Sequence, residues 1–118
     1  VQVTSDQTLV ATEVELGYLT KEQALADPRR SVLLQCVGAS ERVEPQLGRG
    51  YIPDNVTFIL SSDGFVHVLK EEEMYQYFEP GHIHDKEQLM EICKEATQAV
   101  LNRGERDNVT VIAITCKA

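Results

Sequence analysis

Apolar positions in this chain fall into two kinds of run, and each predicts a different element. From Asp85 onward Leu89, Ile92, Cys93, Ala96 and Val100 recur at steps of three and four, the spacing that gathers apolar side chains on one face of an α-helix. Asp85 stands before that run with Gln88 three residues on, a pairing that caps a first turn, and Gly104 supplies the stop. "NVTFILSS" before Gly64 and "NVTVIAIT" near the C-terminus are instead dense in β-branched and apolar residues. They predict strands over 56 to 62 and 108 to 116. The second run is apolar at both parities, which predicts a strand covered on both faces.

The remaining segments are shorter. "TLVATEVELG" (8 to 17) fits a capped helix through Leu9, Val10, Glu13, Val14 and Gly17, and a strand through Val10, Thr12, Val14 and Leu16; a helix stopped by Gly17 is the preferred reading. "TKEQALAD" opens with Thr20 and Gln23 in a capping-box pattern and ends at Pro28. "RRSVLLQCVG" reads as a buried strand or turn leading into a Gly-rich stretch up to Gly50. "KEEEMYQYF" reads as a helix whose first-turn Glu71, Glu72 and Glu73 suit the positive end of the helix dipole, and "EPGHIHD" as a loop.

At 118 residues the chain is one domain or part of one. Its 42% hydrophobic and 25% charged residues match an ordinary globular chain with a packed core. A net charge of -8 argues against nucleic acid as a partner, because phosphate backbones recruit clustered Lys and Arg. The same charge would repel a phosphoprotein unless bound cations reversed the field locally. Cys36, Cys93 and Cys116 are odd in number and far apart, which predicts no disulfide framework and a reducing, cytoplasmic setting. No apolar run approaches a membrane span. "VQVTSDQ" shows no basic-then-apolar leader, and an upstream portion is expected before it.

The candidate chemistry sits at the ends of the two strands. Asp63 follows the first and Asp107 precedes the second, so antiparallel pairing would bring the two carboxylates to one edge of the sheet. Carboxylates so placed call for a proton or a hard, oxygen-preferring cation. The alternative is structural: Asp beside Gly or Asn commonly forms turns by bonding nearby amides.

Several ordered motifs bear on that choice. "FILSSDGFVHVL", then "GERDNVTVIAI", with "VTSDQTLVATEVELGYLTKEQA" and "PRRSVLLQCVGAS" upstream, resemble in order the C-terminal half of the metal-dependent serine/threonine phosphatases, the PPM or protein phosphatase 2C type. The resemblance implies an α+β fold of antiparallel β-sandwich strands flanked by helices, here only its C-terminal half. It implies hydrolysis of phosphoserine and phosphothreonine in phosphorylated protein substrates with Mn²⁺ or Mg²⁺. Asp63 and Asp107 would be metal ligands, Asp6 would help hold a third metal, Gly64 would permit a tight backbone, and Asn108 would steady the Asp107 loop. The metals would activate water and neutralise phosphoryl charge, with no protein nucleophile.

The sequence also departs from that pattern. Gln7 stands where the family usually has His, Glu105 where it has a second Gly, and His67 where Asp is common. The family's N-terminal half carries a phosphate-binding Arg and a metal-bridging Asp, so this chain alone is expected to be a half-site with little activity. Its partner would be that upstream half, or a second copy through exposed strands. A non-catalytic module binding a phosphoprotein is the alternative function. A further alternative is a cysteine-based phosphatase through Cys36 and Arg42, which fit Cys-x5-Arg; Gln35 and Val43 flank that pattern unfavourably, and a buried structural Cys36 is the simpler reading. His82 and His84 lie in a Pro-Gly loop without a third His nearby and read as solvated. Asn55 and Asn108 match a glycosylation acceptor pattern that strands of a cytosolic protein would not use.

Overall fold

A computed structural model describes all 118 residues, and the chain divides into two compact units, Val1–Arg49 and Gly50–Ala118.

In the first unit, α1 (Leu9–Glu15) begins where Thr8 Oγ1 accepts from the Ala11 N–H at 3.2 Å. It ends before Gly17, whose φ of 78° favours a residue without a Cβ. The helical reading of 8 to 17 holds. α2 (Lys21–Ala26) carries the expected box: Thr20 Oγ1 accepts from the Gln23 N–H and Gln23 Oε1 from the Thr20 N–H. Arg29 forks onto Glu13 and also reaches Asp27, tying the segment after α2 back to α1. "RRSVLLQCVG" departs from expectation. It turns at residues 28 to 31 and again from 37, as the turn reading allows, but in place of a buried strand it makes an antiparallel bridge from Thr8 to Leu33, and Val32, Leu33 and Leu34 are exposed, as is Cys36. An apolar run is buried only where another element covers it, and this unit presents two short helices.

The second unit holds the core. β1 (Val56–Ser61) and β2 (Val111–Cys116) form a two-stranded antiparallel sheet in which Val56 faces Cys116 and Ser61 faces Val111. Thr57 and Thr115 lie opposite one another, their hydroxyls 3.1 Å apart. α3 (Asp63–Val66) follows β1 directly, then α4 (Glu71–Phe78), a 3₁₀ turn at Pro80–His82, and α5 (Lys86–Asn102). The segment read as the loop "EPGHIHD" thus contains that turn, and its Ile83 is buried. Asp85 caps α5 by accepting from the Gln88 N–H at 2.7 Å, and Gln88 accepts in return from the His84 N–H.

Phe65, Leu69, Phe78, Ala96 and Val100 form the buried cluster, with Ile59, Val111 and Ala113 packed on it from one face of the sheet. Phe65 and Phe78 meet edge to face at 6.5 Å, the arrangement aromatic quadrupoles favour. The apolar stripe of α5 supplies Leu89, Ile92 and Cys93 to the same cluster. Arg103, capping α5, bonds the Glu73 carboxylate of α4 and the Val68 carbonyl. β2 is not covered on both sides: Ile112 is 57% and Ile114 50% exposed while Val111 and Ala113 are half-buried. Apolar composition at both parities showed that either face could be buried; within this chain one face is.

Candidate metal-binding site at the end of the sheet

Antiparallel pairing places the end of β1 beside the start of β2, and the residues just beyond each strand meet there. Ser62 is the hinge. Its backbone N–H donates to the Thr110 carbonyl at 3.0 Å, its hydroxyl donates to the Asn108 carbonyl at 2.8 Å, and the same oxygen accepts from the Thr110 N–H at 3.0 Å. One hydroxyl therefore fastens the 108 to 110 stretch to the entry of α3. Residues 107 to 110 form this clamped connection, so β2 begins at Val111 and not at 108.

Asp63 opens α3 and Asp107 lies across the clamp. Gly64 sets how closely the two segments approach: a Cβ there would fall 2.7 Å from the Asn108 carbonyl oxygen and 3.4 Å from the Asp107 Cβ. No side chain fits, so glycine is required by contact rather than by conformational freedom. Asp63 Oδ1 accepts from the Gly64 N–H at 2.9 Å and Asp107 Oδ1 from the Asn108 N–H at 2.7 Å. Each is a local bond from a carboxylate to the amide of the next residue, not the Asx-turn bond to the amide two residues on. They leave the second oxygen of each carboxylate without a protein partner.

Glu105 completes the connection. Its Oε1 accepts from the N–H groups of Arg106 and Asp107 at 2.8 and 2.9 Å, and its Oε2 lies 3.7 Å from His67 Nδ1 at the end of α3. The amides of Asp107 and Arg106, followed by His67, hold the Glu105 carboxyl below its ordinary value.

The Asp63–Gly64 and Asp107–Asn108 segments thus meet at one edge of the sheet. Asn108 takes part through its backbone. Asp6 lies in the first unit, exposed, where its carboxylate accepts from Gln2 Nε2 at 3.1 Å. It borders a shallow depression with Ser5, Gln7, Thr12, Glu15 and Gln46. Gln7 there bonds the Glu44 carbonyl, and Gln46 accepts from the Ser5 N–H. Ser62 and Glu105 were not identified as site-forming residues from the sequence. The Ser-Asp-Gly string contains Ser62, but nothing local reveals a hydroxyl whose partners lie more than forty residues on.

The rival constellations gain no support. Cys36 is exposed rather than buried, in an open turn where the Ala39 N–H bonds the Cys36 carbonyl. Arg42 is exposed as well, and its carbonyl accepts from the Ser40 hydroxyl. His82 pairs with Glu79 at 3.5 Å and is exposed. No group of three or more His, Cys, Asp or Glu side chains converges in a way that could hold a metal by itself. The donor set at Asp63 and Asp107 nevertheless fits a hard divalent cation of the kind held by one or two carboxylates, with water or phosphate filling the remaining positions. No helix is long and apolar enough to cross a membrane.

No protein-family model matches the chain. Individual proteins do. A protein phosphatase 2C-type protein of Streptococcus pyogenes is 29% identical over 112 residues, covering 95% of this chain and 44% of the relative. A serine/threonine phosphatase of Listeria monocytogenes is 28% identical over 113 residues, covering 96% and 43%. Among solved structures, the serine/threonine phosphatase of Streptococcus agalactiae superposes with a TM-score of 0.83 at 27% identity, covering 98% of this chain and 46% of its own. That of Mycobacterium tuberculosis gives 0.81 at 26%, covering 100% and 47%. The chain spans about half the length of the curated relatives it matches. Over nearly all its own length it is similar to the C-terminal half of bacterial serine/threonine phosphatases of the protein phosphatase 2C type.

Proposed function

We propose that this chain is one partial domain, the C-terminal part of a metal-dependent serine/threonine phosphatase, in which Asp63 and Asp107 hold a divalent cation. The observation that supports the reading is the meeting of the two segments that carry these aspartates across the Gly64 and Asn108 contact, each aspartate with one carboxylate oxygen left unbonded. Its similarity to named phosphatases supplies the reaction class. Mn²⁺ or Mg²⁺, when bound, would polarise a phosphoryl oxygen and activate water. The protein's own part is to fix two carboxylates at the sheet edge, with Gly64 giving the close approach and the Asn108 amide orienting Asp107. Asp6 would serve an accessory metal. The substrates would be proteins carrying phosphoserine or phosphothreonine, their phosphate drawn to an acidic chain by the cation. Three free cysteines accord with a reducing cytoplasm.

Two carboxylates leave most of an octahedral shell to water, so the 118-residue chain alone should bind Mn²⁺ weakly and turn over little. The complementary partner would be an N-terminal half of the domain or a second copy, meeting the exposed sheet face of Leu60, Ile112 and Ile114. The exposed apolar face of Leu60, Ile112 and Ile114 also supports a second reading, a phosphatase-like module that binds a phosphoprotein without cleaving it. Phosphate release from a phosphothreonine peptide, measured with Mn²⁺, with EDTA, and in Asp63→Asn and Asp107→Asn, separates these. Weak EDTA-sensitive release lost in both variants supports the half-site. Binding without release supports the module. Robust release untouched by either substitution would refute the assigned residues.

A further inference from the structure

Glu105 stands between the two segments that each carry an aspartate. Its Oε1 takes the N–H groups of Arg106 and Asp107, closing the turn that presents Asp107. Its Oε2 faces His67 Nδ1 at 3.7 Å. His67 caps α3 with its backbone N–H on the Asp63 carbonyl at 2.9 Å, so the helix it closes is the one Asp63 opens. The Glu105 side chain is 13% exposed beneath an imidazole that is 58% exposed. A purely local turn would need only the two amide bonds. Here the second oxygen faces another element at 3.7 Å, within ion-pair reach of the imidazole when that ring is protonated, and a carboxylate placed between two segments can restrain their spacing as well as their local shape.

We infer that Glu105, tethered by His67, is a positioning residue that holds the Asp107 turn against α3 and so sets the spacing of the Asp63 and Asp107 carboxylates toward a divalent cation. The inference rests on the metal reading of those two aspartates. Glu105 acts through the Asp107 backbone, in the way that residues behind metal ligands orient them.

The test compares wild type with Glu105→Ala, Glu105→Gln, His67→Ala, the Glu105→Ala/His67→Ala double variant, and Asp63→Asn, all at one pH. Two quantities are read: solvent exchange of the Arg106 and Asp107 amides by NMR, and Mn²⁺ binding from loss of the free-ion EPR signal. Glu105→Ala should speed exchange of both amides and weaken Mn²⁺ binding on the order of tenfold, the lower end of what outer-shell substitutions cost. His67→Ala should move both readouts in the same direction by less. The double variant should be no worse than Glu105→Ala, because the two residues act as one unit. Glu105→Gln keeps an acceptor for both amides and should restore most of the loss. Wild-type behaviour of His67→Ala in both readouts would overturn the tether. Unchanged Mn²⁺ binding in Glu105→Ala, alongside its loss in Asp63→Asn, would overturn the positioning role. An Asp63→Asn variant that binds Mn²⁺ like wild type, or a wild type that binds none, would instead refute the metal reading of the aspartates, and the exchange data would still decide the tether.

Discussion

Replacing Gly64 by Ala tests the geometry of the site most directly. The added Cβ would lie 2.7 Å from the Asn108 carbonyl oxygen, 3.4 Å from the Asn108 carbonyl carbon and 3.4 Å from the Asp107 Cβ. The two at 3.4 Å are close but ordinary contacts, whereas the one at 2.7 Å is forbidden and is with backbone that cannot rotate aside. The 108 to 110 stretch is held by three bonds to Ser62, so relief requires α3 and the connection to separate together. Overpacking of this kind costs about 1–3 kcal/mol. Gly64 lies within the short helix α3, where Ala gains up to about 1 kcal/mol in propensity. The net expectation is a loss of about 1–2 kcal/mol, which lowers Tm by roughly 5–15 °C for a unit of this size. Gly81→Ala is the control: a Cβ there meets nothing within 4 Å, so the change should be neutral or stabilise by up to about 1 kcal/mol. Thermal and urea denaturation followed by circular dichroism measure both. A Gly64→Ala protein within about 1 °C of wild type would refute the close approach, since an overpacking cost of more than a few tenths of a kcal/mol would show.

Other expectations follow from named contacts. Ser62→Ala removes a hydroxyl that bonds both the Asn108 carbonyl and the Thr110 N–H, and urea denaturation should show a loss of about 1–2 kcal/mol. Asp85→Ala removes the acceptor for the Gln88 N–H at the start of α5 and should lose about 1 kcal/mol in the same assay. Glu73 is held down to about 2, first by hydrogen bonds from Arg103 and then by the Lys70 N–H. A lowered carboxylate stabilises the fold above its ordinary pKa and loses that contribution as pH falls toward the folded value. The Tm difference between wild type and Glu73→Gln should therefore be fully present near neutrality and close as pH drops from the ordinary carboxylate range toward 2; a difference constant with pH would refute the pairing.

The parts of this fold that were legible in the sequence depend on neighbours along the chain. α5 announced itself by the stripe from Leu89 to Val100 and by Asp85 with Gln88, and α2 by Thr20 with Gln23, because caps and amphipathic faces are written within a few residues. That the segments carrying Asp63 and Asp107 lie at one edge of the sheet was legible because it needs only two strands and an antiparallel sense. What was missed is set by contacts across the chain. α3 forms where a Ser-Asp-Gly string reads as a turn, its Phe65 being fully buried in the core. The Ser62 hydroxyl, and the approach of His67 to Glu105, join residues with no sequence relation. The exposure of Cys36, and of one face of β2, reflects which surfaces other elements reach, and composition alone does not record that.

That uncovered face and the candidate site belong to the same sheet but depend on different interactions. The register sets Leu60 opposite Ile112 and Phe58 opposite Ile114 on the outer face, while Ile59 and Ala113 turn inward to the core. Leu60 and Ile112 remain more than half exposed, and each strand of a two-stranded sheet has an unpaired edge. Apolar area of this kind favours association, whereas a net charge of -8 opposes the approach of an identical copy. A partner surface of lower negative charge would meet the apolar face without that repulsion. The segments that carry Asp63 and Asp107 approach without such a partner: Ser62, the Gly64 contact and Glu105 all draw on this chain alone. What a partner would add is coverage of that apolar face, because the close approach of the Asp63–Gly64 and Asp107–Asn108 segments is already set by contacts within this chain.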